Sequence, residues 1–230
     1  MQLNRVTTVP DRVPIRNALV SLADKRGLDT LIEGLRRYAP ECTIYSTGGT
    51  YTAIETLIDR SGPVLRRVTE YTGQPEMQGG LVKTLDFRIY LGLLSERYNA
   101  AHQEDLERTG SVEFDLVLGN LYPFEQAAAE ADSTLEDLRT HIDIGGPTML
   151  RAAAKNFLRV ASVCHPEDYP EFIDHLRENR GATTLPFRAD LAARVFRYTA
   201  HYEAAIAGSI GRAVHGVSLG TLYEITEDAP

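Results

Sequence analysis

Four stretches of this sequence set hydroxyls, carboxylates or cations beside glycines. The first is Ser46-Thr47-Gly48-Gly49-Thr50, between an apolar run and a helical pattern. Glycines let backbone N–H groups converge on an anion, and a helix N-terminus adds a favourable dipole, so a phosphate fits there. A plain strand-to-helix turn with a hydroxyl cap fits equally well. Ser21, Asp24 and Lys25 form a similar shorter loop, in which Lys25 is either an anion contact or a solvated surface lysine. The second stretch is Val82-Lys83-Thr84, preceded by Gly79-Gly80; it is another candidate phosphate cradle, without the spacing of a P-loop. The third, Gly119-Asn120-Leu121-Tyr122-Pro123-Phe124, has a proline that fixes the turn. Tyr122 there either donates a proton or hydrogen bond to a ligand or packs with its hydroxyl satisfied. The fourth runs from His141 through Asp143-Ile144-Gly145-Gly146-Pro147-Thr148 into Arg151 and Lys155. Asp143 either orients a cation such as Lys155 or caps the following helix. Arg151 and Lys155, four residues apart, share one helix face.

These loops need a frame. Apolar, strand-like runs at Ala18–Leu22, Thr43–Tyr45, Val64–Val68, Phe114–Leu118 and Val160–Cys164 alternate with helical patterns. The helical patterns cover Leu28–Tyr38, Thr52–Ile58, Phe124–Ala131, Thr134–Thr140, Pro147–Asn156, Pro166–Glu178 and Ala189–Gly208. Such alternation predicts an α/β fold, a mostly parallel five-stranded sheet covered on both faces, with extra C-terminal helices. Ligands of such sheets sit beyond the carboxyl ends of the strands, where strand order reverses, and the glycine-bearing loops follow strand ends. Residues 1–15 read as an arm, 16–213 as one domain and 214–230 as a tail or small hairpin.

Composition narrows the function. A chain of 230 residues suits one sizeable core, and its net charge of -8 argues against nucleic acid or anionic membrane as partners. A small anionic ligand remains open, because a local nest of amides binds phosphate inside an acidic protein. Cys42 and Cys164 are far apart, lie beside apolar residues and have no metal-site spacing, so buried core thiols are expected. There is no long apolar run and no signal-peptide core near Met1–Arg16, which makes a cytoplasmic location the default expectation.

Taken in order, the motifs resemble the IMP cyclohydrolase family, as it occurs in the bifunctional enzyme of the last two steps of purine synthesis. The matching stretches are Arg16–Ser21 with Asp24-Lys25, Ser46–Thr50, Tyr71-Thr72-Gly73 with Pro75-Glu76-Met77, Val82–Leu85, Asn120–Phe124, Ile142–Met149 and Arg151–Asn156. Phe196–Ile206 resembles the helix that leads into that enzyme's second domain. The resemblance implies a doubly wound, methylglyoxal-synthase-like fold. It implies closure of 5-formamidoimidazole-4-carboxamide ribotide to IMP with loss of water, and neither metal nor organic cofactor. Lys83, Tyr122, Asp143 and Lys155 match the family's catalytic residues. Ser21, Lys25, Ser46, Thr47, Gly48, Thr50, Thr84, Asn120, Gly145 and Gly146 match its nucleotide-binding loops. The expected partners are a nucleoside monophosphate substrate, a second copy in a homodimer and a separate formyltransferase, since the sequence stops at Pro230 without the formyl-transferring domain.

The sequence departs from the family around Lys83. Leu81 stands where an arginine is usual, and Asp86, Phe87 and Tyr90 replace a histidine- and glycine-rich run. Loss of the arginine removes a bidentate phosphate clamp, for which Arg88 is the nearest substitute in sequence. Asp86 would add negative charge near an anionic ligand. Two alternatives follow: a cyclohydrolase paralogue acting on an analogue in specialised nucleoside metabolism, or a non-catalytic nucleotide-binding regulatory module.

Overall fold

The structure is a computed structural model that describes residues 5–59, 62–75, 82–130, 133–216 and Tyr223. At its centre lies a five-stranded parallel sheet built from β2 (Asn17–Leu22), β3 (Thr43–Ser46), β4 (Val64–Arg67), β5 (Leu116–Asn120) and β6 (Ala161–Val163), in the order β4-β3-β2-β5-β6. Every strand predicted from the apolar runs is present. Chain order runs outward from β2 to β4, then returns to the other side of β2 for β5 and β6. The switch point therefore lies between the carboxyl ends of β2 and β5, and the sheet is doubly wound.

The period-two alternation of β2 divides the core. Ala18, Val20 and Leu22 face one layer with Ile44, Leu116 and Leu118, while Leu19 faces the other with Tyr45 and Val117. The first layer is covered by α1 (Leu28–Tyr38) and α9 (Tyr169–Glu178). Leu28, Leu31, Ile32 and Leu35 form the buried stripe of α1, as their spacing requires. The opposite layer is covered by α4 (Phe87–Leu94), α8 (Gly145–Lys155) and α10 (Leu185–Gly216). Shorter helices complete the connections: α2 (Gly48–Glu55), α3 (Val68–Thr72), α5 (Ala100–Thr109), α6 (Phe124–Ala129) and α7 (Leu135–Thr140).

Three sequence expectations change. The arm is part of the domain: Val13 and Pro14 form β1, which pairs antiparallel with β7 (Ala182–Thr183), and Val13 and Ile15 are buried. The side chain of Arg188, buried in α10, donates to the carbonyls of Pro10 and Asp11 as well as to those of Phe157, Leu158 and Thr183. At the other end, α10 continues through residue 213 to Gly216 as one helix, so a boundary at 213 falls inside it. Val68, expected to close the third strand, instead opens α3. Most of the expected tail, and Leu81 with Gly79-Gly80, lie outside the described residues.

The two cysteines are buried and unpaired, and burial raises both thiols to about 12. Among the described residues, no helix is long and apolar enough to cross a membrane, and no cluster of His, Cys, Asp and Glu has the makings of a metal site.

Candidate functional site

The strand-end loops converge on a cleft of about 440 Å³ at the switch point. From β2 and the loop after it come Ser21 and Lys25; from the start of α2, Thr47, Gly49 and Thr50. Lys83 and Thr84 come from the segment before α4, and Asn120 and Tyr122 from the end of β5. Asp143, Gly145 and Gly146 come from the loop that opens α8.

Two helix N-termini face this cleft, and the Lys83-Thr84 dipeptide touches both. Gly48 has φ +46°, a left-handed conformation, and the Lys83 Nζ lies 3.1 Å from where a Cβ on Gly48 would stand. The ammonium thus sits over the start of α2, while the space above Gly49 is open. On the other side, Thr84 Oγ1 lies 3.0 Å from the Cβ position of Gly145, at the start of α8. Amide N–H groups and a cation at one helix start form an anion site by dipole and charge together.

Asp143 marks the second pole. Its Oδ1 accepts from the Gly146 N–H at 3.1 Å, and the same carboxylate leaves no room for a side chain at Gly146. Burial raises its pKa above the ordinary 3.8, while the N–H groups of Gly146 and Gly145 pull the other way. The two readings of Asp143 therefore merge: it caps α8, and it is a partly desolvated carboxyl lining a cleft.

Other candidates serve the scaffold. Ser46 is fully buried, does not line the cleft and donates to the Val20 carbonyl at 2.8 Å. Thr50 lines the cleft, yet its hydroxyl both accepts from the Leu22 N–H and donates to the Leu22 carbonyl, each at 3.0 Å. Asn120 uses its whole amide on the backbone of Asp24, accepting from its N–H and donating to its carbonyl, both at 2.8 Å. These bonds stitch the loops together at the switch point. Tyr122, in contrast, is 60% exposed at the cleft wall.

Lys155 is not in the cleft. It is exposed at the carboxyl end of α8, ten residues and about 15 Å of helix rise from Gly145, and no ion pair joins it to Asp143. The sequence pairing of these two residues is thereby corrected. Arg88 does not replace the missing arginine: its guanidinium donates to the carbonyls of Tyr71 and Gly110 and stacks over the Tyr71 ring. Asp86 caps α4 by accepting from the Arg88 N–H at 2.8 Å, and neither it, Phe87 nor Tyr90 lines the cleft.

Two residues that hold the loops of the site escaped sequence reading. Tyr198 and Tyr202, one turn apart on α10, accept backbone N–H groups from Leu121 at 3.0 Å and Asp143 at 2.8 Å. A larger cavity of about 770 Å³ adjoins the cleft, sharing Ala23, Asn120 and Tyr122 and lined by these two tyrosines and by His165 and His201. The smaller cleft is the candidate site, because it gathers the cations, the raised carboxyl and both helix starts.

The comparisons with known proteins place the fold in a family. Residues 28–148 match the MGS-like domain, and residues 153–226 match the AICARFT/IMPCHase bienzyme family. The chain is 45% identical over 207 residues to the bifunctional purine biosynthesis protein PurH of Rhodopirellula baltica, covering 90% of this chain and 38% of that protein. With PurH of Magnetococcus marinus the identity is 43% over 192 residues, covering 84% of this chain and 35% of the relative. The chain thus spans less than two-fifths of these relatives' length. The crystal structure of ForH superposes with a TM-score of 0.71 at 30% identity, covering 86% of this chain and 98% of that one. The chain belongs to the MGS-like domain family, in the form shared with the AICARFT/IMPCHase bienzymes, PurH and ForH.

Proposed function

We propose that this chain is an IMP cyclohydrolase, closing 5-formamidoimidazole-4-carboxamide ribotide to IMP. The observation that carries the reading is the Lys83-Thr84 bridge between the starts of α2 and α8, which gives one cleft an anion pole and a proton-handling pole. The ribotide phosphate lies at the start of α2, against Gly49 and Lys83, with Lys25 at the rim. The heterocycle then extends toward Asp143 and Tyr122.

In the reaction the carboxamide nitrogen attacks the formyl carbon, a C–N bond forms, and the formyl oxygen leaves as water with one proton from each of the two nitrogens. Holding the two substituents face to face supplies much of the acceleration. A carboxyl with a raised pKa suits proton transfer from the attacking nitrogen. The Gly146 N–H is engaged by Asp143, and Lys83 is committed to the phosphate, so the developing oxyanion falls to the Tyr122 hydroxyl. No role in this scheme reaches Lys155. We propose a homodimer as the working form, with the formylated ribotide supplied by a separate activity.

Of the departures that suggested an analogue substrate, Asp86, Phe87 and Tyr90 do not line the cleft, while Leu81 lies outside the described residues. Incubation of the purified protein with the formylated ribotide should yield IMP, followed by chromatography. Saturable IMP binding without any product would favour a regulatory nucleotide-binding module instead.

A further inference from the structure

Tyr198 and Tyr202 are four residues apart on α10 and so project from the same face. Each hydroxyl reaches a different catalytic loop. Tyr198 accepts the N–H of Leu121, the residue before Tyr122, at 3.0 Å. Tyr202 accepts the N–H of Asp143 itself at 2.8 Å. Tyr202 is buried and packs edge-on against Phe124, 6.2 Å between centroids. The Tyr198 ring meets His165 edge-on at 4.5 Å. Both loops are short connections without a ladder partner at these amides, and a buried N–H left unpaired is costly.

We propose that Tyr198 and Tyr202 are positioning residues, a two-point gauge on α10 that fixes the distance between Tyr122 and Asp143 across the cleft. The proposal rests on the cyclohydrolase reading. It adds that the separation of the two reacting groups is set by a helix outside both loops. A rigid helix holds two points one turn apart at a fixed spacing of about 6 Å, whereas two independent loops would not. The anion pole at α2 receives nothing from α10 through these bonds, so the gauge governs chemistry rather than nucleotide affinity.

Tyr198→Phe and Tyr202→Phe remove only the acceptor oxygens and keep the rings. Steady-state kinetics should show kcat falling about ten- to a hundredfold in each, with KM within about threefold and the melting temperature within a few degrees. Amide exchange followed by NMR should show the Asp143 N–H exchanging at least about tenfold faster in Tyr202→Phe, with Leu121 unchanged. The reverse should hold in Tyr198→Phe. Unchanged kcat in both variants, or losses of kcat, KM and melting temperature that move together, would overturn the proposal. If the wild-type protein closes no ring, the reaction reading fails by itself. The gauge then stands on selective loss of amide protection, at Asp143 in Tyr202→Phe and at Leu121 in Tyr198→Phe. Absence of either overturns it.

Discussion

Asp143 carries two duties that pull in opposite directions. As a cap it holds the Gly146 N–H, which favours its charged form; as a desolvated group it is held above its ordinary pKa. The sign of the linkage follows from the net upward shift. The native state binds the proton more tightly than the unfolded chain, whose carboxyl titrates near 3.8, so stability falls as pH rises through that window and the cost persists at neutral pH. Asp143→Asn keeps an acceptor for the cap and discards the charge. Its melting temperature at pH 7 should equal or exceed that of the wild type by a few degrees, and the difference should close as the pH approaches 3.8. Turnover should fall by about 10²–10⁴-fold. A lower melting temperature at pH 7, read from pH-resolved thermal scans, would make the carboxylate chiefly a structural cap. Most residues that line the cleft were legible because their signals are local: glycines, a proline and hydroxyls within a few positions of a strand end. Lys155 belongs to the same contiguous motif, but the length of α8 separates it from the Gly145 end of that helix. Tyr198 and Tyr202 gave no local signal, since their role depends on two loops about sixty and eighty residues away.

Among the elements, α1 matches its expected bounds because its four apolar positions fall on one stripe and Gly27, with φ +70°, stops any extension backwards. The helices between β4 and β5 were not legible. On α5 only Leu106 is buried, so its sequence shows no apolar period, and α4 offers the mixed apolar run of a short helix. α10 begins before its expected start because Pro186 is compatible with the first turn of a helix. At α2 the proposed phosphate contact depends on the conformation of one residue, Gly48. Gly48→Ala places a Cβ in the left-handed region at a cost of roughly 1–2 kcal/mol and 3.1 Å from the Lys83 Nζ, which must retreat. Calorimetry should show IMP binding weakened about tenfold or more with the circular dichroism spectrum unchanged. Equal affinity would move the phosphate away from the start of α2.

At the scale of the whole molecule, Arg188 closes the fold. It joins the carbonyls of Pro10 and Asp11, the turn after α8 and β7, and so ties the N-terminal segment to the middle of the fold. Arg188→Met leaves several buried carbonyls without a donor and should cost about 3 kcal/mol or more, a melting temperature lower by roughly 6–12 °C. An unchanged melting temperature would mean that water replaces the guanidinium without loss. The sheet order has a different consequence, in time rather than in energy. β2 is the central strand of the finished sheet and the first of the five to leave the ribosome. β3 and β4 arrive soon after and cover one edge, but its other neighbour, β5, begins only at Leu116. At roughly 5–20 residues per second, the intervening chain of about 90 residues keeps that edge of β2 unpaired for about 5 to 20 seconds. An apolar strand with an open edge is a template for the wrong neighbour. A nascent chain of this protein therefore passes through a half-sheet that is most exposed to mispairing shortly before the cleft loops after β5 exist.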